Sequence, residues 1–198
     1  MMRMRRTGFT LTELLIVIAV AAVLLTVGVP TFRDFILMQR LKGINAQLVT
    51  DLQFARSEAA ARNQWARVAF GSNDSMTCYT IFTTASIDDS TRCDCRQAAG
   101  NACTGSRTEV RTVQARVSDG VRIAVILDQD NDQTAFAFDH VTGRIASIPN
   151  DDDPRDLNAF RVRTFIDNDR VLRTEVTQAG RVNVCAPASA TVGAPPCP

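Results

Sequence analysis

A single carboxylate, Glu13, interrupts the most apolar stretch of the chain, Phe9–Val29, FTLTELLIVIAVAAVLLTVGV. A carboxylate inside a membrane span costs about 2.5–3.5 kcal/mol on insertion scales, so such a residue points to a function and to a partner. The remaining groups with chemical potential lie well beyond it. Cys78, Cys93, Cys95, Cys103, Cys185 and Cys197 all follow the apolar run. The Cys93-x-Cys95 and Cys95…Cys103 spacings do not match structural zinc sites, and His140 is the single histidine. Disulfides in an oxidising compartment are the better reading. Cys185 and Cys197 would close a Pro-rich tail that has no core residues of its own to hold it. Cys93 and Cys95 are too close to pair with each other, so each is expected to bond to Cys78 or to Cys103, and both arrangements stay open.

Acidic and basic clusters offer less. Asp128, Asp130, Asp132, Thr134 and Asp139 fall at positions 1, 3, 5, 7 and 12 of a calcium-loop template, but Gln133 stands where the template has Gly. A solvated, acid-rich hairpin is the better reading, and no metal or cofactor is expected. Asp151-Asp152-Asp153 before Pro154 reads as a solvated loop. Arg161 and Arg163 are two apart on a predicted strand and so share a face. With Arg173 and Arg181 they form a candidate phosphate-binding patch, since the planar guanidinium fork suits phosphate. The favoured reading is that they are outward-facing strand residues balanced by Asp167, Asp169 and Glu175. No nucleophile–base pair and no phosphate-cradling glycine loop stands out, so the chain is read as a non-enzyme.

The elements that must carry these residues follow from length and pattern. The chain has 198 residues, 45% hydrophobic, with a formal net charge of +1. That is too apolar for disorder and too balanced for a histone-like nucleic-acid binder. Basic charge is almost wholly Arg, Lys42 being the only lysine. The 21 residues of Phe9–Val29 span about 31 Å as a helix, enough to cross a bilayer core. The run is too long for the apolar core of a secretory signal, and no small-residue cleavage site follows it. Arg3, Arg5 and Arg6 before it predict a cytoplasmic N-terminus and a translocated remainder. Gly28 and Pro30 mark the exit from the membrane, and Pro30 should kink or loosen the helix. Beyond it, Leu37, Leu41, Ile44, Leu48, Leu52, Ala55 and Ala59 recur every three or four residues, an amphipathic helix reaching to about Asn63.

From Trp65 onward short β-rich runs alternate with turn signals. Strands are predicted at Trp65–Phe70, Thr77–Thr83, Val110–Val117, Val121–Leu127, Ala135–Phe138, Arg144–Ile148, Ala159–Ile166, Val171–Thr177 and Arg181–Cys185. The fold class is therefore α+β: a long N-terminal helix, transmembrane in one half and amphipathic in the other, packed on an antiparallel β-sheet domain.

Gly8-Phe9-Thr10-Leu11-Thr12-Glu13 followed by the apolar run resembles a type IV prepilin, and so a pilin fold. That resemblance implies that a prepilin peptidase cuts after Gly8 and that the new N-terminal residue, Phe9, is N-methylated. Glu13, then the fifth residue, would pair with the Phe9 amine of a neighbouring subunit and serve assembly. Two opposite charges stranded in hydrocarbon can neutralise each other and set register between helices. Removing Arg3, Arg5 and Arg6 from the 22 basic residues leaves 19 against 21 acidic. Ala55-Arg56-Ser57-Glu58-Ala59 with Arg62-Asn63, the Phe138-Asp139…Gly143-Arg144 turn and Gly180-Arg181 are similar to the FimT/GspH group of minor pilins and pseudopilins.

The implied organisation is a leader over 1–8, a transmembrane and filament-core helix over 9–30 and an amphipathic helix over 31–66. A sheet domain over 67–184 and a disulfide-closed tail over 185–198 complete it. The implied function is a minor pilin of a type IV pilus, anchored in a bacterial inner membrane with a periplasmic head and then built into the fibre at or near its tip. Its partners would be other pilins, through the N-terminal helix, and the peptidase/methyltransferase. A type II secretion pseudopilin is the alternative. A third reading is DNA uptake: some members of the group bind DNA through a C-terminal Gly-Arg-x-Arg motif. The matching residues here are Gly180-Arg181-Val182-Asn183, with Asn183 in place of the second Arg. DNA is not the favoured partner.

Overall fold

Periodic apolar residues from Leu11 onward build one long helix, α1, Leu11–Arg62. The computed structural model describes residues 10–87, 93–127, 133–148 and 157–197, and within α1 the side chains of all but 27–31. Two compact units divide the chain, residues 1–37 and 38–198.

In the first unit α1 exposes its apolar side chains on every side. Leu14, Leu15, Ile16, Val17, Val23, Leu24 and Leu25 are each more than half exposed. A contiguous apolar surface of this kind marks a membrane or protein contact. Among the described residues no helix is long and apolar enough to cross a membrane; the described side chains of the run, 11–26, fall short of the ~20 apolar residues a span needs.

In the second unit α1 turns one stripe inward. Leu41, Leu48, Leu52, Ala55 and Ala59 are fully buried, as their spacing demands. Asn45 and Asp51 lie on the same stripe and are buried too. The helix stops at Arg62 because Asn63 takes a left-handed conformation, φ 51°, a common way to end a helix.

Among the described residues nine strands follow: β1 Trp65–Ser72, β2 Met76–Thr84, β3 Thr108–Arg116, β4 Arg122–Val125, β5 Ala135–Phe138, β6 Ile145–Ser147, β7 Ala159–Phe165, β8 Val171–Thr177 and β9 Val182–Cys185. β1 begins at Trp65, where the sequence places the first strand. The strands make two antiparallel sheets rather than one, in the orders β3-β2-β1-β5-β6 and β4-β7-β8-β9.

The core lies where α1 and the inner faces of both sheets meet. Leu48, Leu52, Ala55 and Ala59 pack with Val68 and Ile81 of the first sheet and Ile123, Phe160 and Val176 of the second. Phe136 and Phe160 bridge the sheets, ring centroids 4.5 Å apart. β7 and β8 alternate buried and less buried residues, so one face of the second sheet looks outward. β1 and β2 are buried on both faces. Their second face carries Ala69 and Phe82, which pack with Cys93, Ala135 and Ile148. A disulfide-held loop therefore covers the side of the first sheet that α1 leaves bare.

Candidate functional site

The helix start is built by a reciprocal pair. Thr10 precedes α1, and its hydroxyl oxygen accepts the backbone N–H of Glu13 at 3.2 Å. The Glu13 carboxylate in turn accepts the Thr10 backbone N–H at 3.0 Å and the Thr10 hydroxyl at 3.0 Å. This is a capping box, which satisfies helix N–H groups that have no partner inside the helix. Thr10-Leu11-Thr12-Glu13 carries its T-x-x-E signature in plain sequence, beside the assembly role that the prepilin resemblance implies for Glu13. Gly8 and Phe9, the leader junction, lie outside the described residues.

The cysteines meet in three pairs: Cys78–Cys95, Cys93–Cys103 and Cys185–Cys197. The first ties β2 to the loop that follows it, and the second closes that loop at its base. Gly71 faces Cys78 across the β1–β2 ladder, and a Cβ there would stand 3.0 Å from the Cys95 sulfur. Side chains of β3 hold the loop from the other side. Gln114 donates to the carbonyls of Cys95 and Gln97, both at 2.8 Å. Glu109 accepts the backbone N–H groups of Gly100 and Ala102 and the Thr112 hydroxyl. Burial pushes the Glu109 carboxyl up, but these hydrogen bonds outweigh it and hold the group below its ordinary value.

The tail differs from expectation. Expected to have no core residues of its own, it buries Ala186 and Val192 with Leu41, Val121 and Leu172. A short-residue sequence with no periodicity gave no sign of this, because the partners come from α1 and the second sheet.

Arg56 of α1 joins two turns that are far apart in sequence. Its guanidinium donates to the Gly180 carbonyl at 3.3 Å. A Cβ on Gly143 would lie 2.8 Å from the Arg56 Nε, and one on Gly180 would lie 2.1 Å from the Gly143 carbonyl oxygen. Both glycines have positive φ, +67° and +72°. The three segments singled out by resemblance, around Arg56, Gly143 and Gly180, thus converge on one packed contact. Asp139 shapes the first of these turns by accepting the Val141 N–H and the Thr142 hydroxyl. It stood at the last position of the calcium template. Asp128, Asp130 and Asp132 lie outside the described residues, as does the run Asp151–Asp153. Among the described residues no group of three or more acidic, Cys or His side chains is placed to hold a metal.

The four arginines of the proposed patch lie along the outer face of the second sheet but are not equivalent. Arg161 faces Glu175 across β7–β8 and pairs with it at 2.9 Å. Arg163 and Arg173 face each other directly. Arg181 lies beside Thr177, just before β9. Asp167 is taken by Arg170. The expected balance of charge therefore holds for Arg161 and not for Arg163 and Arg173.

Comparison with known families matches residues 45–180 to the family described as Type II transport protein GspH and residues 3–29 to the prokaryotic N-terminal methylation motif. A search of the curated proteins and one of the solved structures found no significant match. The methylation motif takes in the leader junction and the apolar run, and the other match takes in the end of α1 from Asn45 and strands β1 to β8. With a long helix on an antiparallel β domain and a match over more than half its length, the chain belongs to the GspH family of prepilin-like, pilin-type subunits.

Proposed function

We propose that the chain is a minor pilin of a type IV pilus, a structural subunit without catalytic activity that helps prime the fibre at or near its tip. Residues 1–8 are the leader, removed between Gly8 and Phe9, and Phe9 is then methylated. Residues 9–30 span the inner membrane before assembly and pack among other subunits after it, with Glu13 set against the amine of a neighbour's Phe9. The observation that carries the reading is the head's triple stapling by Cys78–Cys95, Cys93–Cys103 and Cys185–Cys197. Disulfides suit an extracellular surface, where a folded head has no chaperones and no reducing buffer around it.

The match to the family described as Type II transport protein GspH favours a second reading, a pseudopilin of type II secretion. Immunogold labelling of surface fibres sheared from cells that carry a tagged copy separates the two. Label at fibre ends is the expected result. Fibres without label, together with lost protein export on deletion of the chain, would sink the pilus reading. DNA remains the less favoured partner, because Glu175 already neutralises Arg161 and Asn183 stands where a second arginine would extend the stripe.

A further inference from the structure

The outer face of the second sheet holds one arrangement that its own fold does not account for. Arg163 and Arg173 sit directly opposite on β7 and β8. Like charges in that position destabilise a sheet. Among the described residues neither has an acidic partner. The Nε of Arg173 is buried and has no hydrogen-bond partner, which is costly for a charged group unless something else satisfies it. The Arg163 guanidinium carbon lies over the Phe165 ring, 4.7 Å from its centre. Both arginines open into a basin of about 270 Å³, whose other walls are Ile126, Phe165, Asp167, Asn168, Val171 and Pro187.

Two guanidinium groups without acidic partners, beside apolar side chains and an Asp167 already paired with Arg170, define a ligand by its chemistry. The charged end must be an oxyanion able to accept from two forks at once. The rest must be apolar enough to cover Phe165 and Val171. We infer that this basin binds a small organic oxyanion, a phosphate or carboxylate group clamped between Arg163 and Arg173 with its hydrocarbon body against Phe165, Val171, Ile126 and Pro187.

The test is calorimetric titration of the full-length chain in detergent at low salt, with phenyl phosphate, benzoate and inorganic phosphate as probes. Phenyl phosphate or benzoate should bind saturably at one site per chain, and the preferred one identifies the oxyanion. Inorganic phosphate should bind more weakly than phenyl phosphate, since it lacks the apolar body. Arg173→Gln and Arg163→Gln should each weaken binding at least about tenfold, the scale of a lost charge-assisted hydrogen bond. Arg173→Lys, which keeps the charge but not the fork, should also weaken it. Arg163 is exposed, so its variant should fold even if the Arg173 variants do not. Arg181→Gln, on the same face but outside the basin, should bind as the parent does. The inference fails if neither organic anion binds, if Arg163→Gln leaves affinity unchanged, or if Arg181→Gln weakens binding equally. It also fails if a single-stranded oligonucleotide binds while phenyl phosphate does not, since that would mean a phosphate-backbone surface and not a small-ligand basin.

Discussion

The Tyr79 hydroxyl of β2 donates a 2.7 Å hydrogen bond to the carboxylate of Asp51 on α1, and the contact is buried. Arg111 of β3 reaches the same carboxylate at 2.6 Å from a half-exposed position. Burial, and then the carboxylate it bonds to, pushes the Tyr79 phenol up, with Arg111 opposing, so it stays a donor at any physiological pH. This contact fixes α1 against the first sheet, as the buried Asn45–Thr174 hydrogen bond at 2.9 Å fixes it against the second.

Tyr79→Phe should therefore destabilise residues 38–198 by about 1–3 kcal/mol, the usual cost of removing one partner of a buried hydrogen bond. Asp51→Ala should cost more, because it leaves the Tyr79 hydroxyl buried without an acceptor and strips Arg111 of its partner. Urea denaturation of that fragment measures both. Equal midpoints for parent and variants would show that the contact is incidental.

The Arg56 junction predicts an order of severity among glycine substitutions. Gly180→Ala should be worst, since its Cβ meets backbone, the Gly143 carbonyl oxygen, at 2.1 Å, and its φ is positive. Gly143→Ala should be milder, because the obstructing atoms belong to the Arg56 side chain, which can move. Gly193→Ala should be mildest, with open space around it and only the positive φ to strain. Melting temperatures in the order Gly193→Ala, Gly143→Ala, Gly180→Ala, falling, are expected; any other order contradicts the packing described.

The capping box changes how a Glu13 variant must be read. Glu13→Ala removes both a helix cap and a charge, so poor assembly would not tell them apart. Glu13→Gln keeps the cap, because Gln serves in the same position, and removes only the charge. If the charge pairs with a neighbour's Phe9 amine, incorporation into filaments should fall as far for Gln as for Ala. Normal incorporation of Glu13→Gln would leave only the capping role.

Acid should weaken the second unit through Asp139 and Glu109. Burial pushes the Asp139 carboxyl up, but the Thr142 hydroxyl, two backbone N–H groups and nearby His140 together hold it below the ordinary aspartate value of 3.8. A lowered value in the folded state means that the unfolded chain binds the proton more tightly. The stabilisation is complete above the unfolded value and is lost as pH falls through the lowered one. Glu109 acts in the same sense from its ordinary 4.5. Residues 38–198 should lose stability below about pH 4, and Asp139→Asn should lose it less steeply. Parallel pH–stability curves for parent and variant would contradict this assignment.

The helix stripe, all nine strands and the pairing options of the cysteines were legible because each rests on local spacing. The choice of Cys78 for Cys95 over Cys93 was not, since it depends on Gly71 leaving room across the ladder for that sulfur. The division into two sheets was hidden as well. Alternation in β7 and β8 tells which residues share a face but not that β4 pairs with β7 while β3 pairs with β2. Asn45 and Asp51 sat visibly on the apolar stripe, yet their partners, Thr174 and Tyr79, lie far along the chain. The sequence sets Arg163 and Arg173 beside Arg161 as outward-facing residues balanced by nearby acids. Only the cross-strand register separates them from Arg161, which faces an acid.

The Cys93–Cys103 bond has a consequence for what this surface can become. It closes its loop at the base, and the residues between, Arg96 to Asn101, are exposed. Only Gln97 and Gly100 among them hand backbone groups to β3. Changes at Ala98 and Ala99 therefore end at the covalent collar and do not reach Phe82 or Ala69 beneath it. The loop tip is a place where sequence can drift, or a foreign peptide be displayed, while the head keeps its shape.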